Sequence, residues 1–267
     1  MMVPDEFQHL LSRKGEELYR DMPWRNDTRP YYVLVSELML QQTQVLRVMP
    51  KFNVFIERFP DEKALAKANL AHVLKLWQGL GYNRRAKFLH EAAKIIVNEF
   101  GGIFPQREAD ILKLPGVGKN TAGAIRAYAF NQPSIFVETN VRTVYIHHFF
   151  NDQFNVNDKQ IIELLELTID KRDPRHFYQN LMDYGTWLKA NGVRNTSSSK
   201  HYKKQSPLRG SLRETRGEIV RQLASGDKSV VALQKIVAMD DRFDRALAGL
   251  MRDGLVKRIG DAVHLAT

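Results

Sequence analysis

LPGVGKNTAGAI, residues 114–125, sets two glycines one residue apart between two stretches whose apolar residues recur at helical spacing. Pro115 ends the first helix at Leu114, because the residue before a proline is held out of the helical region. Gly116 and Gly118 permit positive φ and close backbone approach, so a second helix can begin almost at once. The N–H groups at that helix start, near Lys119, lack intrahelical partners and lie at the positive end of the helix dipole, a geometry suited to a phosphate. A tight G-x-G turn also serves packing, and the stretch alone leaves both uses open.

Outward from the turn, the chain reads as helical through its first two hundred residues. Apolar spacing predicts helices over 6–20, 31–45, 48–59, 62–68, 70–76, 83–100, 108–112, 121–131, 139–149, 159–167 and 175–189, joined by short connections rich in Pro and Gly such as FPDE, GLGYN and NQPS. Between 191 and 216 the composition turns polar and basic, with a Ser/Thr cluster and little to bury. A linker is placed at 191–211, after a helical domain over 1–190. Beyond it, 212–267 reads as three short helices and a two-stranded ribbon turning at Gly260-Asp261, a winged-helix pattern that serves DNA docking and protein contact about equally.

Lysine and arginine outnumber aspartate and glutamate by 40 to 30 among 267 residues, a formal charge of +10 that favours a polyanionic partner. The chain contains no cysteine, which excludes disulfides, thiolate nucleophiles and cysteine-ligated clusters. No apolar run approaches the roughly 20 residues of a membrane span, and the start lacks signal-peptide features, so a cytoplasmic protein of the bacterial or archaeal nucleoid, with no membrane partner, is expected.

The motifs MPWR (22–25), VSELMLQQTQV (35–45), GLGYNRRAKFLHEAA (79–93), LPGVGKNTAGAI, ETNVRTV (138–144) and LMDYG (181–185) together resemble the helix-hairpin-helix (HhH-GPD) DNA glycosylases, most closely their adenine glycosylase, MutY-like branch. The resemblance covers about the first 190 residues in order and spacing. It implies a mainly α, two-lobed fold with damaged or mismatched double-stranded DNA bound across the cleft and a hairpin at 114–118 gripping the backbone, often with a monovalent cation. A monomer is expected, and no other metal or cofactor.

Glu37 sits among apolar residues with no basic residue at i±3 or i±4. Such surroundings raise a carboxyl pKa and suit a general acid, although a glutamate at the edge of a core helix can simply reach water. The resemblance makes it the acid that protonates the purine leaving group. Glu138 precedes a helix whose dipole is expected to keep it ionised, and an anion there stabilises an oxocarbenium-like sugar; a plain helix-start residue is the alternative. The resemblance also implies that Asn140 orders the hydrogen bonds beside this acid, that Gln41 and Gln42 contact the distorted duplex, that Tyr82 wedges beside the opposite base, and that Trp24 and Arg25 border the base pocket. Arg84, Arg85 and Lys87 are expected to meet phosphate, as are Leu114, Gly116, Gly118, Lys119, Asn120 and Thr121 of the hairpin.

Three departures stand out. Glutamate replaces the family's aspartate at 138. The four cysteines that hold an iron–sulfur cluster in most of the branch are absent, leaving Arg194, Lys200, Lys203, Lys204 and Arg209 in that region. The larger domain that reads 8-oxoguanine is replaced by the small C-terminal one. Asn120 occupies the position where bifunctional relatives carry a Schiff-base lysine. The expected activity is therefore that of a monofunctional base-excision glycosylase acting on adenine opposite 8-oxoguanine or guanine, with a thymine or uracil mismatch glycosylase and a non-catalytic DNA-damage binder as alternatives.

Overall fold

The computed structural model describes residues 3–267 apart from Asp152, 201–205 and 238–239, and only the backbone of Thr196. Lys203 and Lys204, expected to replace cluster-loop contacts, lie outside the described residues. Chain order begins with α1 (Pro4–Leu18), α2 (Pro23–Asn26), α3 (Pro30–Leu40), α4 (Val45–Arg58), α5 (Glu62–Ala66), α6 (Leu70–Leu76) and α7 (Arg84–Glu99). It continues with α8 (Glu108–Ile111), α9 (Lys119–Phe130), α10 (Thr139–Phe149), α11 (Asp158–Thr168), α12 (Pro174–Ala190) and a 3-10 turn at Asn195–Ser198. The last part holds α13 (Leu212–Ala224), β1 (Lys228–Ser229), α14 (Val230–Val237), α15 (Asp241–Arg252), β2 (Val256–Ile259) and β3 (Ala262–Leu265).

Local chemistry explains most helix starts. Asp61 accepts from Ala64 N at 2.7 Å, Asn157 and Gln160 form a reciprocal capping box, and Asp173 caps a helix that opens on Pro174. The main differences from the spacing argument lie at α2, α3 and α4. The helix expected over 31–45 stops at Leu40, because the chain passes through a left-handed residue at Gln42 (φ 55°), and α4 then begins at Val45 rather than 48. Short α2 carries too few residues to show a period.

The described residues divide into two compact units, one of 1–33, 106–112 and 117–204, the other of 34–105, 113–116 and 205–267. In the first, α12 packs against α1, α9 and α10 around Phe7, Leu11, Val144, Tyr145, Leu181 and Leu188. In the second, α7 packs on α5 and α6 over Phe52, Phe55, Trp77, Leu89 and Ile96, and α13 packs against α6. Within it, α13, α14 and α15 accompany an antiparallel sheet with one strand more than the expected ribbon, since β1 joins β3 in the order β1-β3-β2. Phe243, Leu247, Leu250 and Val263 fill its core. No helix among the described residues is long and apolar enough to cross a membrane.

His148 in the first unit pairs Nε2 with Tyr184 Oη at 3.0 Å and sets its ring against Phe7. Burial, with His147 beside it, lowers its pKa from 6.5 to about 4. Between those values the unfolded chain binds the proton that the folded chain refuses, so this residue's contribution is complete above pH 6.5 and is lost as the pH falls toward 4. His148→Gln does not titrate there, so melting temperature is expected to fall more steeply with acid in the wild type than in the variant across that window. A pH-independent gap between the two would exclude the assignment.

Candidate active site

In the second unit the site is built on the end of α3. Val35, Leu38 and Met39 are fully buried, Leu40 is half-buried, and Glu37 is the one charged residue of this helix, itself half-buried. The left-handed Gln42, an exposed residue, turns the chain out of the helix, while Gln41 Nε2 donates to Gly116 O at 3.2 Å. Gln41 thus ties the Glu37 helix to the turn. Gly116 itself has φ 80°, and a Cβ there would meet Phe88 Cβ at 3.0 Å and Leu38 Cδ2 at 3.2 Å, so the position requires glycine twice over. Leu114 is buried, which leaves only its backbone to offer a ligand.

Arg85 corrects an expectation. Its side chain faces the interior at 6% exposure, not solvent, and does not present itself to phosphate. Nη1 donates to Leu38 O (2.6 Å) and Met39 O (2.8 Å), and Nη2 reaches Thr43 Oγ1 (3.1 Å), Leu80 O (3.1 Å) and Gly81 O (3.0 Å). Helix ends leave their last carbonyls without intrahelical partners, and one guanidinium answers two of those of α3 while fixing the loop before Tyr82. Desolvation lowers its pKa to about 10, still charged at neutral pH. The signal was in the sequence: Arg85 lies on the same helical stripe as the buried Leu89, Ala92, Ala93 and Ile96. Arg84 is exposed, 3.7 Å from Asp253, while Lys87 Nζ donates to Asp253 O at 2.8 Å. Tyr82 adopts φ 48° and is half-buried.

In the first unit, α9 opens at Gly118, which caps it with φ −95°, an ordinary extended value, and no side-chain bond. Of the two hairpin glycines only Gly116 uses the left-handed region. Lys119 is exposed and Thr121 half-buried at the open helix start. Asn120 donates Nδ2 to Val137 O at 2.9 Å, bracing the residue before Glu138. The extended segment leading there is pinned further by Tyr178, whose hydroxyl donates to Ser134 O at 2.7 Å and whose ring stacks on Phe136 at 3.9 Å.

Glu138 caps α10 in position only, since its side chain makes no capping bond. Burial raises the carboxyl pKa, opposed by the Arg142 guanidinium one turn on. The direction is opposite to that expected from the helix dipole, because loss of water costs a carboxylate more than the dipole returns. Arg142 is held in place by a two-bond fork to Asp158, both at 2.7 Å. Asn140 donates Nδ2 to Met182 O (3.1 Å) and Thr186 Oγ1 (3.3 Å), and its Oδ1, buried, has no partner among the described residues.

Trp24 is buried at 8% exposure. Arg25 forms a buried two-bond pair with Asp183, at 2.7 and 2.9 Å, which Arg20 joins at 2.6 Å. Asp183 and Gly185 are the D and G of LMDYG, and sequence reasoning assigned neither a task. A Cβ on Gly185 would stand 2.8 Å from both Cβ and the carbonyl oxygen of Asn140, so the close approach of α12 to the Glu138 helix at this point needs a residue without a side chain. Gly185→Ala is expected to cost about 1–3 kcal/mol of stability by overpacking; an unchanged melting temperature with unchanged activity would show the contact to be slack.

With no cysteine in the chain, the donor set for an iron–sulfur cluster is missing, and no step is assigned to one. The model of the HhH-GPD superfamily base excision DNA repair proteins matches residues 35–169. The chain is 34% identical over 268 residues to "Adenine DNA glycosylase" of Mycolicibacterium smegmatis, covering 91% of this chain and 89% of that protein. It is 42% identical over 173 residues to the protein of that name from Buchnera aphidicola subsp. Baizongia pistaciae, with 63% of this chain covered but only 48% of that one, so it spans about half the length of that relative. Among solved structures, a thermostable thymine-DNA glycosylase superposes with a TM-score of 0.60 at 27% identity, over 68% of this chain and 85% of that one. A buried helix carrying Glu37, a glycine turn tied to it and an acid at the start of α10 thus have the company of a matching family model, and the chain belongs to the HhH-GPD superfamily of base excision DNA repair proteins, alongside its adenine DNA glycosylases.

Proposed function

We propose that the chain is a monofunctional DNA glycosylase that flips a mispaired adenine out of a duplex and hydrolyses its N-glycosidic bond, opposite 8-oxoguanine or guanine. The observation that carries this reading is the 34% identity to an adenine DNA glycosylase over 91% of this chain and 89% of that protein's length. Glu37 protonates the departing adenine, so the bond between C1′ and the base breaks with its electron pair leaving on a neutral base. Glu138, ionised, stabilises the positive charge that develops on the sugar, and water completes the hydrolysis at C1′. Asn140 orders the hydrogen bonds beside Glu138. Asn120 braces Val137 rather than presenting an amine, which supports base removal without efficient strand cleavage.

Binding on this reading uses Gln42 and Tyr82 at the distorted base pair, exposed Arg84 and Lys119 at phosphates, and the open N–H groups of α9 as a backbone clamp. A second reading, release of thymine from a mismatch with guanine, is favoured by the likeness to a thymine-DNA glycosylase at 27% identity. Duplexes carrying adenine opposite 8-oxoguanine, adenine opposite guanine, or thymine or uracil opposite guanine, incubated with the protein and cleaved by alkali, separate the readings. Abasic product is expected from the adenine duplexes. Product from thymine or uracil alone would replace the substrate, and none on any duplex would sink the glycosylase assignment.

A further inference from the structure

The second unit contains a link that lies outside the motifs carrying the family resemblance, which end with LMDYG at residue 185. Arg213 lies in the first turn of α13, a turn anchored by Ser211, whose hydroxyl accepts from Glu214 N, and by Glu214, which accepts from Gly210 N at 2.6 Å. From there Arg213 Nη1 donates to the hydroxyl of Tyr82 at 2.6 Å, its guanidinium carbon stands 5.3 Å from the centre of that ring, and Nη2 donates to Ser206 O at 3.2 Å. Arg85 approaches the same ring at 5.6 Å. Tyr82 sits in a left-handed backbone conformation, uncommon for a residue with a Cβ, and so needs its surroundings to hold it. At the far end of α15, Asp253 draws the same module against α7: its carbonyl accepts from Lys87 at 2.8 Å, while its carboxylate pairs with Arg216 of α13 at 2.5 Å.

We propose that Arg213 is a positioning residue for Tyr82, making the module at 212–267 a brace that presets the wedge rather than a separate binding domain. The proposal rests on the reading of Tyr82 as the residue that inserts beside the mispair. A ring gripped at both its face and its hydroxyl loses little further freedom on entering the base stack, so the ordering cost of insertion is met in the free protein. An arginine is suited to this because its planar fork can stack on the ring and donate at once, which lysine cannot do.

The test has a part without DNA and a part with it. With 3-fluorotyrosine at position 82, the wild-type protein is expected to give one shifted ¹⁹F line that Arg213→Ala, and more mildly Arg213→Lys, moves toward the value of a free side chain. An unmoved line overturns the proposal. With duplexes containing 2-aminopurine beside an adenine·8-oxoguanine pair, Arg213→Ala is expected to lose most of the fluorescence rise and about tenfold of the preference for mispaired over paired duplex. In a Tyr82→Ala background the Arg213→Ala change is expected to cost nothing more; a persisting tenfold loss would make Arg213 a direct phosphate contact and overturn the brace. If Arg213→Ala unfolds the module, Arg213→Gln, which keeps a donor without the charge or fork, carries both readouts. A wild-type protein that makes no abasic product while the ¹⁹F line still depends on Arg213 removes the glycosylase reading and leaves the brace standing.

Discussion

Glu37→Gln is expected to lower the single-turnover rate of adenine release by about 10²–10⁴-fold while leaving affinity for the mispaired duplex within a few fold. Glutamine matches glutamate in shape and in its place on α3, but it cannot deliver a proton to the leaving base. The same measurement on Glu138→Gln separates the two roles through pH. Because burial holds the Glu138 carboxyl above its ordinary 4.5, the rate is expected to fall on the acid side at a higher pH than that value, as the anion is lost. Arg142→Gln removes the neighbouring positive charge and is expected to move this acid limb higher still. An acid limb that stays in place in Arg142→Gln would disconnect Glu138 from the anionic role, and full activity in Glu37→Gln would remove Glu37 as the acid.

The second large effect lies at Arg85, where truncation to alanine is expected to destabilise the protein by about 3–5 kcal/mol, measured by denaturant unfolding. Each buried carbonyl left without a donor costs about 1–3 kcal/mol, and the Arg85 guanidinium serves those of Leu38, Met39, Leu80 and Gly81 together. Activity is expected to fall with stability, because the same bonds hold the end of the Glu37 helix and the loop before Tyr82. Arg84→Ala, at an exposed neighbour, gives the contrast: stability nearly unchanged and a weaker, less salt-dependent affinity for DNA. Equal behaviour of the two variants would contradict the inward placement of Arg85.

How far each reading travelled depends on the range of the force behind it. Helices over 70–76 and 139–149 stand where apolar spacing puts them, because period, caps and breakers act within a turn or two of chain. Gly116 is required as the turn chemistry indicates, by its positive φ. The end of α3 was misplaced because nothing local in QQTQ marks the left-handed Gln42. The site was legible as a set of residue types through the family's motifs, yet their environments were not. Arg85 sat in a basic run that reads as a phosphate contact; its stripe with Leu89, Ala92, Ala93 and Ile96 marked the inward face, but which carbonyls it meets was decided by the packing of α7. Glu138 sat at a helix start that favours an anion, and burial reversed the direction of its pKa.

From sequence alone, then, came the helical class, the glycine turn, the two acids and the absence of thiolate chemistry, since each rests on residue identity or on short-range periodicity. Tertiary structure decided that Asn120 braces Val137, that Asp183 neutralises Arg25, that Gly185 lets α12 approach Asn140, and that Arg213 grips Tyr82 from 131 positions away. Those pairings join residues distant along the chain, and which polar group meets which is settled by the burial that brings them together, where an unmet donor or charge is costly.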